Sequence, residues 1–359
     1  MYLGEAHFVP LSLLGLLFDG TSVASSKPIS GISVIVPVRN GGDTIERCIR
    51  SIEKQTHPVY EVIVIDDAST DETPTILGRL WGEYGNIRIF RNFENLGKAA
   101  SISKVLPILQ TPLTAIVDAD TFLDKDYFLE VSKVFHRKDI IAASGTVLPT
   151  ETEGVIERSR LIEYLHSQST YKKLQEKVGA IFVTPGCCSI WRTEWLKKNG
   201  IPTDTVVEDM DLTWGAQVEG GKIAFIPNGV AYTNEPKSLV SFTRQTYRWF
   251  SWRPVLKKYW KKLNLKMKIL IIWMLIENIA YIAWFGIITY LLLLGDVISA
   301  FLLLLIDVSV VTAIALWQGC KFKTPLRKVF SSIPRYYSLK VPTAFLFWKA
   351  FIKPKRAGW

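Results

Sequence analysis

Histidine and cysteine are scarce in this sequence, four of each in 359 residues. His7, His57, His136 and His166 are scattered, and none belongs to an evident nucleophilic triad. Cys48, Cys187, Cys188 and Cys320 lack the spacing of a metal site. A cytosolic domain would keep them reduced, and the vicinal Cys187-Cys188 pair reads as packing by small residues. There is no internal repeat and no low-complexity stretch, which excludes repeat arrays. Acidic charge nearly vanishes from the last third. Residues 251–359 hold 17 Lys and Arg against Glu277, Asp296 and Asp307, a net of +14, whereas the whole chain carries +10. Residues 1–250 are therefore acidic, and the basic charge belongs to the C-terminal part.

That part is also apolar. From Ile269 to Leu294 the strongly polar residues are Glu277 and Asn278, and from Val297 to Trp317 the ionisable one is Asp307. Each run can cross a hydrocarbon core of roughly 30 Å, with Gly295-Asp296 between them. A transmembrane hairpin is expected over residues 269–318. Lys257, Lys258, Lys261, Lys262, Lys266 and Lys268 precede it, and Lys321, Lys323, Arg327 and Lys328 follow it. Both ends are then expected in the cytoplasm, in a multi-pass protein of the cell membrane. Lysines that abut apolar spans suit anionic membrane lipids rather than nucleic acid. Trp249, Trp252, Tyr259 and Trp260 among these lysines predict an amphipathic interfacial segment over 239–268. The basic, aromatic stretch 319–359, with Pro334 and Pro342, is expected to be interfacial or a third membrane helix. Residues 1–27 hold an apolar run, Phe8 to Phe18, too short to span and without the basic start of a signal peptide. An interfacial or packed segment is expected there. In the hairpin, Glu277 and Asp307 would differ in height by roughly 10 Å at 1.5 Å per residue, too far for a direct pair. Because charge in lipid is costly, each needs a neighbouring helix, a second subunit or a polar path.

Residues 28–238 read as one α/β domain. Ile32 to Val36 is a continuous β-branched run, as a buried parallel strand would be. Asp43 and Glu46 are spaced like a capping box, and Ile45, Ile49 and Ile52 line one face of the helix that follows. Strands are expected at Val62 to Ile65, Ile87 to Phe90 and Thr114 to Val117, with helices at Asp71 to Tyr84 and Lys98 to Leu109. This alternation predicts a Rossmann-like, doubly wound sheet. Further strands are expected at Ile140 to Val147 and Ala180 to Val183, with a polar helix between them at Val155 to Gln175.

In an open α/β sheet, ligands bind beyond the carboxyl ends of the strands. Three polar clusters fall there: Pro37 to Asn40, Asp66-Asp67, and Asp118-Ala119-Asp120. Two carboxylates separated by one small residue can face one cavity, and hard oxygen ligands suit Mg²⁺ or Mn²⁺. A metal there would bridge the phosphates of a nucleotide and neutralise a leaving group.

Several segments carry a resemblance. They are Val34 to Asn40 (Val-Ile-Val-Pro-Val-Arg-Asn), Val64 to Asp71 (Val-Ile-Asp-Asp-Ala-Ser-Thr-Asp), Asn95 to Lys98 (Asn-Leu-Gly-Lys), Asp118 to Asp120, Glu208-Asp209, and Gln245 to Trp249 (Gln-Thr-Tyr-Arg-Trp). In this order they resemble the family-2 glycosyltransferases. The last is similar to the Q-x-x-R-W motif of the membrane-integrated branch, which includes hyaluronan, chitin, cellulose and poly-N-acetylglucosamine synthases and, with variations, ceramide glucosyltransferase. The resemblance covers about residues 30–260 and implies a GT-A-type fold. It implies that Asp67, with Pro37 and Asn40, holds the nucleoside of a nucleotide-sugar donor such as UDP-GlcNAc or UDP-glucose. Lys98 would reach the diphosphate, and Asp120, helped by Asp118, would ligate Mn²⁺ or Mg²⁺. Asp209 would be the general base, and Gln245, Arg248 and Trp249 would close over donor and acceptor.

An inverting transfer needs one base and positive charge at the leaving diphosphate, and no protein nucleophile. Asp211 and Glu208 compete with Asp209 for the base role. Thr184 to Arg192 lies where polymerising relatives place the acceptor end. Gly186 and Cys187 would let a sugar approach the backbone, and Trp191 could floor it; a turn into a packed helix is the alternative. The expected acceptor is a polysaccharide. Polymerising relatives usually have more membrane helices, so transfer of one sugar to a lipid-linked acceptor is a second expectation. A catalytically inactive sugar-nucleotide sensor is a third.

Overall fold

A computed structural model describes residues 27–355. The apolar run Phe8 to Phe18 and the last residues, 356–359, lie outside them. Seven consecutive buried residues form the first strand, β1 (Ile32–Val38), and such a run needs cover on both faces. The chain then alternates through α1 (Ile45–Glu53), β2 (Glu61–Asp66), α2 (Thr73–Glu83), β3 (Ile87–Arg91), α3 (Lys98–Val105), β4 (Leu113–Val117), β5 (Thr121–Leu123), α4 (Tyr127–Ser132) and β6 (Ile140–Pro149). Next come α5 (Val155–His166), a π-helical turn at Ser167–Tyr171 and α6 (Lys172–Val178). They are followed by β7 (Cys188–Arg192), α7 (Thr193–Asn199), α8 (Glu208–Val218) and β8 (Lys222–Thr233). Helices α9 (Leu239–Phe250), α10 (Arg253–Tyr259), α11 (Leu265–Leu293), α12 (Val297–Lys321) and α13 (Leu326–Ile352) complete it.

Two compact units result. Residues 27–147 and 181–234 form one, and residues 148–180 and 235–355 form the other. Segment 148–180 thus groups with the C-terminal helices, although it lies inside the domain expected over 28–238.

The first unit holds an eight-stranded sheet in the order β3-β2-β1-β4-β7-β6-β8-β5. β3, β2, β1 and β4 are parallel, β7 runs antiparallel to β4 and β6, and β5 antiparallel to β8. The doubly wound pattern therefore describes β1 to β4, and the remaining half is mixed. The core between sheet and helices includes Ile63, Ile102, Ile116, Trp191, Leu212 and Phe225.

Local expectations fail at three places here. Ala180 to Val183 is buried but irregular, and the strand is β7, in the stretch read as an acceptor segment or, alternatively, as a turn into a packed helix. Short apolar runs report burial, not a backbone conformation. The capping box is absent, because Glu46 faces Arg50 and Arg79 instead of reaching back to the helix start. Helix α3 gives way to a 3₁₀ turn at Leu106–Ile108, where Pro107 lacks the N–H that would continue it.

In the second unit, the helix that reads as polar is buried: Glu157, Arg160, Glu163 and His166 are all inside. Helix α13 packs on α5, with Val329, Ile333, Tyr336, Lys340, Ala344 and Phe347 on its inner face. The expected interfacial anchor Trp252 is instead fully buried, against Phe347 and Phe351.

Helices α11 and α12 are long and apolar enough to cross a membrane. Gly295, at φ +78°, makes the turn between them, and Asp296 caps α12 by accepting from Ser299 N at 3.1 Å. Ile272, Ile276, Leu302 and Leu305 are among many apolar side chains exposed on their outer faces, more than a soluble monomer displays. The acids inside them have partners. Asp307 accepts from the Tyr337 hydroxyl of α13 at 2.5 Å, and Glu277 accepts from Trp273 Nε1 at 2.5 Å. Lys340 is enclosed by the rings of Tyr281, Tyr336 and Tyr337.

Strands β6 and β8 approach so closely that a Cβ on Gly145 would stand 1.9 Å from the carbonyl oxygen of Gly229, whereas Gly78 in α2 meets nothing within 4 Å. Gly145→Ala is expected to destabilise the protein by about 1–3 kcal/mol as overpacking. Gly78→Ala is expected to stabilise it by about 0.5–1 kcal/mol. Thermal melts of both variants check the pair, and an unchanged midpoint for Gly145→Ala would contradict the close approach.

Candidate active site

The carboxyl ends of β1, β2 and β4 deliver Arg39-Asn40, Asp67 and Asp118 to one edge of the sheet. Because β7 runs against β4, its entry lies at that same edge. Val117 pairs with Cys188, and Asp118 N donates to Cys187 O at 3.0 Å. The Gly186-Cys187 loop is thereby set beside the Asp118-Ala119-Asp120 turn, which Thr121 N closes onto Asp118 O at 2.9 Å.

Lys98 joins the two. Its Nζ donates to Asp118 Oδ1 at 2.5 Å and to Gly186 O at 2.9 Å, and lies 3.7 Å from Glu208 Oε1. Burial opposes its charge, but Asp118, Glu208 and Asp209 outweigh burial and raise its pKa above that of an ordinary lysine. Asp67 aims this lysine. Its carboxylate accepts from Leu96 N at 2.9 Å, Gly97 N at 2.7 Å and Asn92 Nδ2 at 2.9 Å. Gly97 turns there at φ +81°, a conformation that favours glycine, and α3 starts with Lys98. Burial would raise the Asp67 pKa, but these hydrogen bonds prevail and lower it. The Asp67 oxygens are thus engaged by the chain itself, which fixes the start of α3.

Asp209 and Glu208, both half-buried, begin α8, where the helix dipole favours negative charge. Asp209 Oδ2 accepts from Gly186 N at 3.3 Å, and Oδ1 from Met210 N at 2.8 Å. A Cβ on Gly186 would come within 3.3 Å of Asp209 and 3.4 Å of Lys98 Nζ, so glycine is what permits this approach. Asp211, one competitor for the base role, is only 1% exposed and cannot meet an acceptor. Glu208, the other, faces Lys98.

The remaining expected residues divide. Pro37 is buried within β1, paired with Ile65. Asn40 is exposed at φ +52°, and its side chain accepts from Thr70 N at 2.8 Å, so it holds a turn. Cys187 is half-buried beside Asp118. Trp191 is not an acceptor floor. It is 1% exposed, stacked on Trp195 at 5.4 Å, and donates to Ser189 Oγ. Gln245, Arg248 and Trp249 lie on α9, in the other unit. Gln245 Oε1 is buried with no hydrogen-bond partner among the described residues, and Trp249 stands over Arg160. Arg160 carried no signal in the sequence, being one of several charges in a helix that reads as exposed.

Among the described residues, no group of three or more His, Cys, Asp or Glu is placed to hold a metal. Asp118 and Asp120 nevertheless fit a hard cation. Burial and the charge of Asp118 push the Asp120 carboxyl up to about 6, only partly offset by Lys98. Lys98 already seats a cation on Asp118. The pair is short of positive charge and offers oxygen ligands, as Mg²⁺ or Mn²⁺ would require, with further ligands coming from a bound phosphate.

The placement of Trp191 has a direct test. Trp191→Ala is expected to cost about 3–5 kcal/mol, as for other large core truncations, read in a denaturant melt. A variant of unchanged stability would return Trp191 to the surface.

Residues 33–200 match the model of glycosyl transferase family 2. The poly-beta-1,6-N-acetyl-D-glucosamine synthase of Staphylococcus epidermidis is 25% identical over 263 residues, which are 71% of this chain and 63% of that protein. The synthase of the same name from Staphylococcus aureus strain MSSA476 is also 25% identical, over 62% of this chain and 54% of its own length. The chain thus spans less than two thirds of these relatives. A mannosyltransferase from Pyrobaculum calidifontis, solved with GDP-Man and Mn²⁺, superposes with a TM-score of 0.66 at 18% identity, covering 98% of this chain and 97% of that one. The sheet order, the strand-end carboxylates and these likenesses agree: residues 33–200 match glycosyl transferase family 2, and the fold is of the GT-A type.

Proposed function

We propose that this chain moves a sugar from a nucleotide-sugar donor to an acceptor hydroxyl in one inverting displacement at the cytoplasmic face of a membrane. The observation that carries the reading is the convergence, at one sheet edge, of the carboxylate of Asp209 with Lys98 and Asp118 around Gly186, with Asp120 beside Asp118. An acceptor hydroxyl gives its proton to Asp209 while its oxygen attacks the anomeric carbon. The bond from that carbon to the diphosphate breaks, and the electron pair leaves with the diphosphate. Lys98 meets the developing charge. Asp118 and Asp120 would hold Mn²⁺ or Mg²⁺, which supplies neutralisation of the diphosphate. Asp67 fixes Lys98 by clamping residues 96 and 97, and Pro37 and Asn40 border the nucleoside side. Gly186 and Cys187 let the acceptor sugar approach the backbone, and Gln245, Arg248 and Trp249 provide the closing segment.

The names of the curated relatives favour N-acetylglucosamine as the sugar and a saccharide as the acceptor. A lipid-linked acceptor is the second reading. It is favoured by an apolar groove of about 420 Å³ between α11 and α13, lined by Tyr281, Phe285, Gly286, Val341, Ala344 and Phe345. The lysine clusters on both flanks of the α11–α12 hairpin favour a multi-pass protein with its catalytic domain in the cytoplasm.

Purified protein given UDP-GlcNAc, UDP-glucose or GDP-mannose is expected to release nucleoside diphosphate from one of them. EDTA abolishes the release, and Mn²⁺ or Mg²⁺ restores it. Radiolabelled product then appears as a ladder of chains for a polysaccharide acceptor or as one glycolipid spot for the second reading. A protein that binds a donor without ever releasing diphosphate would be a sensor, and the proposal would be lost.

Asp209→Asn keeps the shape of the side chain and removes its basicity. Transfer is expected to fall by roughly 10²–10⁴-fold with donor affinity retained, measured by single-turnover kinetics and donor titration. A transfer rate near that of the wild type would assign the base elsewhere.

A further inference from the structure

Arg160, on α5, is 1% exposed, and its guanidinium lies among acidic, hydroxyl and aromatic groups. Nη1 donates to Glu163 at 2.5 Å, Nε lies 3.5 Å from Glu235 Oε2, and Nη2 donates to Thr246 Oγ1 at 3.0 Å. Its central carbon stands 4.7 Å from the ring centroid of Phe242 and 4.9 Å from that of Trp249, both within cation–π range. Glu235 in turn accepts from the Tyr164 hydroxyl at 2.6 Å. All of these residues belong to the unit formed by residues 148–180 and 235–355.

Phe242, Thr246 and Trp249 are the i, i+4 and i+7 positions of α9, so one guanidinium touches three successive turns of a single helix face. Contact at one turn would leave the helix free to roll. Contact at three fixes its rotation about its own axis. Gln245 directly precedes Thr246, and Arg248 directly precedes Trp249, so that rotation also sets where their side chains point. Lysine could supply the charge but not the flat surface that two rings share or the fork that reaches Glu163, Glu235 and Thr246 together.

We propose that Arg160 is a positioning residue for the Gln245–Arg248–Trp249 segment, seating the Trp249 ring and fixing the roll of α9 from a buried site completed by Glu163 and Glu235. The proposal rests on the glycosyltransferase reading for its kinetic consequence and on geometry alone for the seat. Burial pushes the Glu235 carboxyl up to about 7, against the pull of Arg160 and the Tyr164 hydrogen bond. With Glu235 protonated, Arg160 and Glu163 form a neutral buried pair, which is what an interior site tolerates.

The test is a double-variant cycle on the full chain in detergent, with UDP-GlcNAc and Mn²⁺ and with melting midpoints recorded in parallel. Arg160→Lys is expected to lower kcat by about tenfold or more, with donor KM within about twofold. In a Trp249→Ala background the same change is expected to add almost no further loss, because its route is already removed. Where Arg160→Lys fails to fold, Arg160→Met with Glu163→Gln removes the buried pair together and is expected to show the same dependence on Trp249. Losses that multiply across the two positions would overturn the proposal. So would a fall in kcat, donor affinity and melting midpoint in proportion, which marks a purely structural role. If the wild type releases no nucleoside diphosphate from any donor, the glycosyltransferase reading fails by itself. The melting midpoints still decide the seat: non-additive shifts sustain it, and additive shifts overturn it.

Discussion

Strand β7 runs against β4, and the candidate site depends on that reversal. In an all-parallel sheet the residues before β7 would lie at the amino ends of the strands, away from Asp118. With the direction reversed, the Val117–Cys188 pairing and the bond from Asp118 N to Cys187 O bring Gly186 to the edge where β1, β2 and β4 end. Lys98 can then reach Asp118 and Gly186 together, and Asp209 can accept from Gly186 N. One backbone register thus brings two carboxylates, an ammonium and a backbone amide into hydrogen-bonding range.

Charge at the site is organised in a relay. Asp67 determines where Lys98 stands, because it holds the two amides before it. Lys98 in turn tempers the repulsion between Asp118 and Asp120. The second unit uses the same device in a drier setting, where Arg160 stands between Glu163 and Glu235 and the aromatic face of α9. In each unit a buried acid without its cation would carry a large desolvation cost.

The parts of the fold that sequence made legible are those where a residue type has one physical explanation. A mostly apolar, β-branched run ending in Arg39-Asn40 could hardly be other than a buried strand reaching a polar edge, and two runs of over twenty residues with one or two polar interruptions each could hardly be other than long apolar helices. The carboxylates at the strand ends were legible for the same reason. What sequence concealed were choices made by tertiary contacts. Nothing local tells Ala180 to Val183 from a strand, because burial without pairing looks the same. Trp191 and Trp252 look like surface aromatics until the folded chain covers them, Trp191 in the core with Ile63, Ile116 and Phe225 and Trp252 against Phe351. Nothing local shows that Asp67 also holds the amides of residues 96 and 97. The charges of α5 read as a solvated face, since the residues that bury them lie some eighty to a hundred and seventy positions further along.

Helix α13 contains Pro334 and Pro342. Each ring removes one rung from the hydrogen-bond ladder, leaving the carbonyls of Phe330 and Ser338 without their usual helical donors. A helix is stiff because that ladder is continuous, so α13 behaves mechanically as three short rods joined at two soft points. The middle rod holds Tyr336, Tyr337 and Lys340, and these tie it to Tyr281 of α11 and Asp307 of α12. The rod that carries the caged lysine is therefore bounded at both ends by an interrupted backbone ladder, and side-chain contacts to α11 and α12 hold it where backbone hydrogen bonds are missing.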